Sequence, residues 1–247
     1  MTNELLYFFN LVFYLGLVLV LYKLFGKNGL YVYSIFASLL SCVADARCTT
    51  VLGLPTYPGL IFYASVFLVT DILSEKYGKK SANKAVIYGL LSLVLWLFGT
   101  QSTLMFSPNE RDVLGSKLNE VLGMTPRIFI ASIVAYIFSQ AFDVFMYHFI
   151  WSKTGNNKKM LWLRNNVSTF ISNAIDTTIF TTLAFVGMYP VSVLFSILMT
   201  SYLFKSLMAL LDTPFIYFAR KIVPLNEQEK ESESSNFVPS LEAAKAE

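Results

Sequence analysis

The chain has 247 residues, of which 55% are hydrophobic and only 14% are charged, and its formal net charge is +3. An average soluble domain is about 45–50% apolar and about 25% charged, so this chain has too few polar residues to cover a soluble globule. The composition argues against a soluble enzyme, a secreted disulfide scaffold, a disordered chain and a direct nucleic-acid binder. We therefore predict an all-α, polytopic membrane helix bundle in a lipid bilayer.

A bilayer core about 30 Å thick requires about 20 mostly apolar residues in each helix that crosses it. The apolar stretches of this length predict about six to seven transmembrane helices. In chain order the stretches are Leu5–Phe25, Leu30–Arg47, Pro58–Glu75, Lys84–Phe106, Pro126–Trp151, Asn165–Val186 and Val191–Pro214. We expect the first stretch, residues 5–25, to be peripheral to a core of residues 26–221.

Two segments between these stretches depart from a simple loop. Asp45 and Arg47 interrupt the end of the second stretch and prolines follow them, so we interpret Ser41–Leu60 as a re-entrant or unwound segment. Such backbone is tolerated at membrane depth only where it faces protein or a watery cavity. In Ser107–Thr125, apolar residues recur at helical spacing, which predicts a short amphipathic helix over the outer mouth of the bundle.

The basic residues predict the orientation of the chain. Of its 19 Lys and Arg residues, about fourteen fall on one side of the predicted helices and about four on the other, while Lys205 lies inside a helix. Because cytoplasmic loops carry the excess of Lys and Arg, we predict an N-terminus outside and a C-terminus in the cytoplasm. Residues 1–223 form the predicted transmembrane domain, and the Glu-rich residues 224–247 form a disordered cytoplasmic tail.

Charged side chains at membrane depth are rare and usually face a cavity or one another. Asp71, Asp143, Asp176 and Asp212 lie within predicted helices, and Lys205 is the basic residue among them. If all were ionised, they would leave a surplus of three negative charges. The sequence therefore predicts that some carboxyls are protonated or wetted, or that the interior binds a group rich in N–H donors or positive charge.

The sixth predicted helix carries a polar stripe. Asn166, Thr169, Asn173 and Asp176 follow one another at intervals of three, four and three residues, which places them on one helical face. One interpretation is that the stripe only ties helices together. The other, which we favour, is that it also lines a solute pathway, because Asp176 is ionisable and polar residues are present on other helices.

No motif indicates a cofactor or a catalytic centre. Cys42, Cys48 and His148 do not form a metal-ligand cluster, so we expect no metal and no cofactor. His148 stands beside Trp151, which suits an anchor at the membrane interface. The chain also lacks a phosphate-binding loop for ATP. An intramembrane enzyme and a purely structural protein are the remaining alternatives, and we expect no enzyme.

Several segments resemble the queuosine precursor transporter family of vitamin-uptake-like membrane proteins, in the right order over about Gly26–Lys221. The segments are FLVTDILSEKYG (67–78), SQAFDV (139–144), LWLRNNVSTFISNAIDT (161–177) and YLFKSLMALLDTPFIY (202–217). The resemblance implies import of a 7-deazaguanine, such as preQ0, preQ1 or queuine, across the bacterial cytoplasmic membrane for queuosine modification of tRNA. It leaves open whether the protein is a homo-oligomer.

The positions that the resemblance marks are Asp71, Gln140, Asp143, Arg164, Asn165, Asn166, Ser168, Thr169, Ser172, Asn173, Asp176, Lys205 and Asp212. A carboxylate can accept the adjacent N–H donors of the base in a two-point contact. We expect Asp176 and Asn173 to contact that edge, Gln140 and Asp143 to complete the polar contacts, and Lys205 to keep a carboxylate ionised.

The candidate substrate-binding residues are Asp176, Asn173, Gln140, Asp143, Lys205, Asn166 and Thr169. The candidates for proton coupling or ion pairing are Asp71, Asp143 and Asp212. Two mechanisms are open at this point. The chain either transports alone, by facilitated diffusion or with protons, or it is the substrate-binding subunit of a shared ATP-driven energy-coupling module.

Overall fold

The computed structural model describes residues 2–45, 47–109, 111–122, 126–155 and 157–228. These ranges contain seven α-helices, one short 3₁₀ helix (Lys158–Met160) and one two-stranded antiparallel sheet. The helices are α1 (Asn3–Ala44), α2 (Gly59–Tyr77), α3 (Lys79–Leu104), α4 (Gly115–Leu122), α5 (Pro126–Thr154), α6 (Leu161–Phe185) and α7 (Val191–Lys221). The strands are β1 (Thr49–Val51) and β2 (Leu54–Thr56).

Helix α1 folds back on itself at Gly26, whose backbone (φ 58°, ψ −137°) is not helical. Its two arms, residues 3–25 and 27–44, run antiparallel, since the Tyr33 hydroxyl donates to the Tyr14 carbonyl at 3.4 Å. The first and second predicted membrane helices are therefore the two arms of one helical hairpin. The first arm, expected to be peripheral, buries one face against the bundle; its buried residues are Tyr7, Leu11, Leu15, Val18 and Tyr22.

The segment that we expected to be re-entrant or unwound is helical up to Ala44 and then forms strands β1 and β2. Leu52 and Gly53, between the strands, both have positive φ (53° and 75°), as a tight hairpin turn of type I′ requires. We call this end of the bundle the hairpin end, after the β-hairpin formed by β1 and β2. The opposite end, where Gly26, Gly78 and Arg220 lie, is called the basic end.

Four helical segments of the described ranges are long and apolar enough to cross a bilayer, namely Asn3–Ala44, Lys79–Leu104, Arg127–Thr154 and Val191–Gln228. Large apolar side chains such as Phe98 (70% exposed) and Phe195 (63% exposed) point away from the protein, as on a lipid-facing surface. Helices α2 and α6 are not among these four segments; α2 carries Asp71, Glu75 and Lys76, and α6 carries Arg164 and Asp176. The prediction of an all-α, polytopic membrane bundle is confirmed.

Helix α2 lies at the centre of the bundle and packs against α1, α3, α5 and α7. Every residue from Val66 to Ser74 is buried. Helix α6 packs against α5 and α7. Its polar stripe therefore faces the same interior as α2, and side chains of α2, α5, α6 and α7 meet there.

Helix α7 continues through Pro214 to Lys221, whereas the predicted stretch ends at Pro214. Proline removes one backbone hydrogen bond, but neighbouring helices and hydroxyl side chains keep such membrane helices intact. The Thr213 hydroxyl, next to the proline, donates to the Ala209 carbonyl of its own helix at 3.2 Å. The continuation carries Arg220 to the basic end, next to α2.

The predicted amphipathic helix in Ser107–Thr125 corresponds to α4, which is shorter than that segment. Residues 110 and 123–125 of the segment lie outside the described residues. The end of α4 is attached to α3 by the Gln101 side-chain amide, which donates to the Leu122 carbonyl at 3.2 Å. Helix α4 therefore lies at the hairpin end, and its position over the outer mouth of the bundle stays a prediction.

The first residues of the predicted tail pack against the basic end. Asn226 donates to the Phe25 carbonyl at 3.3 Å, and the Tyr77 hydroxyl donates to Glu227 at 2.5 Å. Residues 229–247, which make up the rest of the predicted tail, lie outside the described residues. The division of the chain at residue 224 stays a prediction.

Candidate functional site

The polar stripe of α6 is inside the bundle. Asn166, Thr169, Asn173 and Asp176 are each at most 5% exposed. A membrane helix can bury such a face only against polar partners, because an unpaired polar group in a low-dielectric interior is costly. The partners come from α2, α5 and α7.

The first group of partners is the Lys205 cluster, which consists of Tyr63, Ser139, Asp176 and Lys205. Lys205 and Asp176 form an ion pair between α7 and α6. The Ser139 hydroxyl donates to the other Asp176 oxygen at 3.2 Å and lies 3.2 Å from the Tyr63 hydroxyl. Because Ser139 has a single O–H, Tyr63 is then the donor in that second contact. The Lys205 ammonium also lies 4.7 Å from the centre of the Tyr63 ring.

A small cavity adjoins the Lys205 cluster. It is lined by Leu60, Tyr63, Ala64, Phe67, Thr169, Asn173, Lys205, Ala209 and Asp212. The Thr169 hydroxyl and the Asn173 side-chain oxygen have no hydrogen-bond partner among the described residues. The cavity is small. Its volume is about 10 Å³, which is room for about one water molecule.

Three carboxyls form a second group, which we call the aspartate trio: Asp71 on α2, Asp143 on α5 and Asp212 on α7. Each is at most 1% exposed, and Asp71 is close enough to the other two to interact with them electrostatically. Ser172 donates to Asp143 at 2.9 Å, and Asn165 donates to Asp212 at 3.0 Å. Neutral donors from α6 therefore hold two members of the trio.

At the basic end, Glu75 is the centre of a third group, the Glu75 network, which also contains Tyr147, Arg164 and Arg220. Arg164 Nη2 lies 2.7 and 2.6 Å from the two Glu75 oxygens, and Arg164 Nε lies 3.1 Å from one of them. Tyr147 donates to Glu75 at 2.8 Å, and Arg220 pairs with Glu75 at 3.3 Å. The network joins α2, α5, α6 and α7 on the side of the trio away from the hairpin end.

Most of the candidate substrate-binding residues lie at or beside the cavity. Thr169, Asn173 and Lys205 line the cavity, and Asp176 is bound to Lys205 beside it. Gln140 is fully buried, and neither atom of its amide group has a partner among the described residues.

Asn166 and Asp143 have other contacts. Asn166 donates to the Thr213 hydroxyl at 2.7 Å and to the Trp162 carbonyl at 2.9 Å, so it connects α6 to α7 instead of lining the cavity. Asp143 belongs to the aspartate trio, together with the other two candidates for proton coupling or ion pairing, Asp71 and Asp212.

Several contacts of the site were not anticipated from the sequence. Tyr63 and Phe67 line the cavity and Ser139 contacts Asp176, but none of the three was singled out. A signal for the first two exists, because Leu60, Tyr63, Phe67 and Asp71 follow helical spacing and share one face of α2. The pairing of Glu75 with Arg164 has no such signal, since 89 residues separate them in the chain.

The described residues contain no group of three or more His, Cys, Asp and Glu side chains that could hold a metal ion. His148 stacks on Trp151, with ring centres 5.8 Å apart. The chemistry available at the site is therefore ion pairing, hydrogen bonding, aromatic stacking and proton exchange.

A family model described as "Putative vitamin uptake transporter" matches residues 58–219. The match contains α2 to α6 and most of α7, and thus all three groups of interior polar residues except Arg220. The chain is 36% identical over 228 residues to the "Probable queuosine precursor transporter" of Bacillus subtilis (strain 168), covering 92% of this chain and 99% of the relative. No solved structure matches the chain.

Proposed function

Because the chain belongs to the vitamin uptake transporter family, we propose that it carries a queuosine precursor, a 7-deazaguanine, across the bacterial cytoplasmic membrane. The observation that carries this proposal is the cavity between α2, α6 and α7. It combines an aromatic wall, an ion pair and polar atoms without partners, which is the set of groups that a flat base with several N–H donors would use. The name of the Bacillus subtilis relative supports the same substrate class.

In this proposal Asp176 is the main acceptor for the N–H edge of the base. An ionised carboxylate has about four lone-pair sites, and the contacts with Lys205 and Ser139 use two of them. Asp176 can therefore accept from the base while Lys205 keeps it ionised. Asn173 and Gln140 supply further hydrogen bonds from buried amides that have unpaired atoms.

The aromatic wall supplies the apolar part of the site. Tyr63 and Phe67 are neighbours on α2, with ring centres 5.2 Å apart and nearly perpendicular planes. One ring face directed at the cavity can stack on the base. Ligand pockets usually measure about 300–1,000 Å³, far more than the cavity offers. Binding of the base therefore requires α2 and α7 to move apart.

The direction of transport follows from the distribution of basic residues. We propose that the basic end faces the cytoplasm and that the hairpin end faces outside, in accordance with the positive-inside rule. A base would enter from the hairpin end, bind beside the Lys205 cluster and leave past the Glu75 network. The Glu75 network would have to open before the base could leave, since it joins four helices between the aspartate trio and the basic end.

The first test uses bacterial cells that cannot make or import a queuosine precursor. Expression of this chain should restore queuosine in their tRNA when preQ0, preQ1 or queuine is supplied at low concentration. Comparison of the three bases identifies the preferred one. Absence of rescue by all three, with the protein present in the membrane, would contradict the proposed function.

A second test addresses the site. Asn173→Ala removes from the cavity wall an amide that we expect to form a hydrogen bond with the base. Loss of that hydrogen bond should cost about 1–3 kcal/mol of binding free energy, which raises the KM for uptake about 5- to 150-fold. Ser196→Ala is the matched control, because Ser196 lies exposed on α7 and bonds only to its own helix. Equal KM values for both variants and for the wild type would remove Asn173 from the site.

The purified protein in liposomes separates the two mechanisms left open by the sequence. A transporter that works alone moves the base into liposomes without another protein. A substrate-binding subunit of an ATP-driven module would bind the base but not move it. We propose the first of these, and uptake by the purified chain is the expected result.

A further inference from the structure

The interior of the bundle contains more acidic than basic side chains, and the structure shows where the difference lies. Lys205 neutralises Asp176, and Arg164 neutralises Glu75 with help from Arg220. In the part of the chain that the structure describes, no Lys, Arg or His forms an ion pair with the aspartate trio. The surplus of three negative charges that the sequence predicts is thus assigned to Asp71, Asp143 and Asp212.

The trio also has unused hydrogen-bonding capacity. Neither oxygen of Asp71 has a partner among the described residues, and the same holds for one oxygen each of Asp143 and Asp212. The two donors that are present, Ser172 and Asn165, are neutral. Three neighbouring carboxylates without a cation would repel one another in a low-dielectric interior, so carboxyls in such a place take up protons.

An independent observation connects the trio to the cavity. Thr169 is 2% exposed, and its hydroxyl makes no fully formed hydrogen bond with the described residues but lies near enough to Asp143 to act as a donor toward that carboxyl. Thr169 also lines the cavity together with Asp212. This buried hydroxyl therefore lies beside Asp143 and, together with Asp212, at the wall of the cavity.

We propose that Asp71, Asp143 and Asp212 form one proton-binding site, distinct from the Lys205 cluster, and that proton entry through this site drives entry of the substrate. This inference rests on the proposed function. The proton binds to a carboxylate oxygen from the water on the hairpin side and leaves to water on the basic side. No other reactant is required.

The charged and titratable groups around the trio favour a proton over a metal ion as the ligand. Glu75 on α2 and Tyr147 on α5 are close enough to interact electrostatically with Asp71, and Lys205 on α7 lines the cavity together with Asp212. Arg164 and Arg220 pair with Glu75, and Lys205 pairs with Asp176. Glu75 and Asp176 are already neutralised by their partners. The described residues offer no arrangement of ligands suited to a metal ion around the trio.

The position of Lys205 explains how proton and substrate are coupled. Lys205 and Asp212 both line the cavity and are seven residues apart on one face of α7. An ionised Asp212 attracts the Lys205 ammonium and weakens its hold on Asp176, whereas a protonated Asp212 does not. The substrate site is therefore complete only when the trio has taken up its proton.

The test uses the purified full-length protein in liposomes, with the membrane potential held at zero by potassium and valinomycin. An inward gradient of one pH unit should drive up to about tenfold accumulation of a labelled neutral base if one proton moves with each base. Addition of base without a gradient should make the external medium more alkaline. The proposal would be overturned if the wild-type protein accumulates the same amount of base with and without the proton gradient, or if a sodium gradient drives the accumulation instead.

An Asn variant separates coupling from transport. Asp71 belongs to the trio but does not line the cavity, and Asp71→Asn imitates the protonated carboxyl, so this variant should fold, lose gradient-driven accumulation and still exchange labelled for unlabelled base. Glu120→Gln, on the exposed helix α4, is the matched control and should accumulate base like the wild type. An Asp71→Asn variant that still accumulates base with the proton gradient would also overturn the proposal.

Two further measurements keep the outcomes distinct. Asp71→Glu retains a titratable group and should retain part of the proton-driven accumulation that Asp71→Asn loses. If the wild-type protein exchanges no base at all, the proposed function fails. If it exchanges base but shows no proton coupling, only the present inference fails.

Discussion

The buried carboxyls are chemically alike, but their neighbours give them different roles. Asp176 has a basic partner in Lys205, and Glu75 has Arg164, whereas Asp71 has no hydrogen-bond partner among the described residues. A buried ion pair is stable only while both members are present, because a single buried charge is costly. The consequences of substitution at these residues therefore depend on which partner is left behind.

The pair between Asp176 and Lys205 should behave as a unit. Asp176→Asn or Lys205→Met leaves one buried charge and should lower the free energy of unfolding by about 3–5 kcal/mol. The double variant leaves no unpaired charge and should lose less than either single variant. Denaturant unfolding of the four proteins in detergent micelles measures this, and additive losses would contradict the pairing.

The Glu75 network should depend on the shape of the Arg164 side chain as well as its charge. Glu75→Gln should cost about 3–5 kcal/mol of unfolding free energy, because Arg164 is fully buried. Arg164→Lys keeps the charge but loses the two-pronged contact, which should cost about 1–3 kcal/mol. Arg111→Gln, an exposed control, should change the unfolding free energy by less than about 0.5 kcal/mol. Equal stability of all three variants would show that the network does not hold the helices together.

At the scale of the elements, the helical hairpin of α1 depends on the backbone of one residue. Gly26 has φ 58° and ψ −137°, and a side chain there would also meet Asn226 and Pro224. This conformation is open almost only to glycine. Residue 26 therefore determines that two membrane-length arms lie side by side at one edge of α2.

The substitution Gly26→Ala tests that dependence. It should lower the free energy of unfolding by about 1–3 kcal/mol, which is the cost of a strained backbone at a non-glycine residue. Gly16→Ala is the matched control, since Gly16 lies inside the first arm with open space around it. There alanine should be neutral or stabilise the protein by up to about 1 kcal/mol. A Gly26→Ala variant as stable as Gly16→Ala would mean that the turn tolerates a side chain.

At the scale of the whole molecule, the two ends of the bundle differ in chemistry. The hairpin end contains Cys48 and the strands, and the basic end contains the Glu75 network and the contacts of residues 224–228. The interior polar groups lie between them in three layers, from the Lys205 cluster through the aspartate trio to the Glu75 network. This order matches a route that crosses the bundle from one end to the other.

The native cysteines test the orientation of that route. Cys48 is exposed at the hairpin end, so it should react in intact cells with a maleimide that cannot cross membranes. Cys48→Ser should abolish the labelling. A cysteine introduced by Gly155→Cys, at the basic end of α5, should react only after the cells are permeabilised. The reverse pattern would place the hairpin end in the cytoplasm.

The fold could be predicted to a large extent because hydrophobic length and helical spacing are local properties of a sequence. The stretch Pro126–Trp151 lies within α5, and the stretch Lys84–Phe106 overlaps α3 and ends two residues beyond it. The two arms of α1 correspond to the first two predicted stretches, Leu5–Phe25 and Leu30–Arg47. The continuation of α7 past Pro214 was not predicted, because it depends on packing against other elements that compensates for a missing backbone hydrogen bond.

The sequence by itself determined that the chain is a membrane helix bundle, that one face of α6 is polar, and that the interior has more acidic than basic groups. Only the tertiary structure decided which carboxyls have partners. Charge counts and helical spacing are local, whereas the pairing of Arg164 with Glu75, or of Lys205 with Asp176, depends on which helices pack together. The same packing leaves Asp71, Asp143 and Asp212 without a cation, because the basic side chains that reach the interior are bound to other carboxylates.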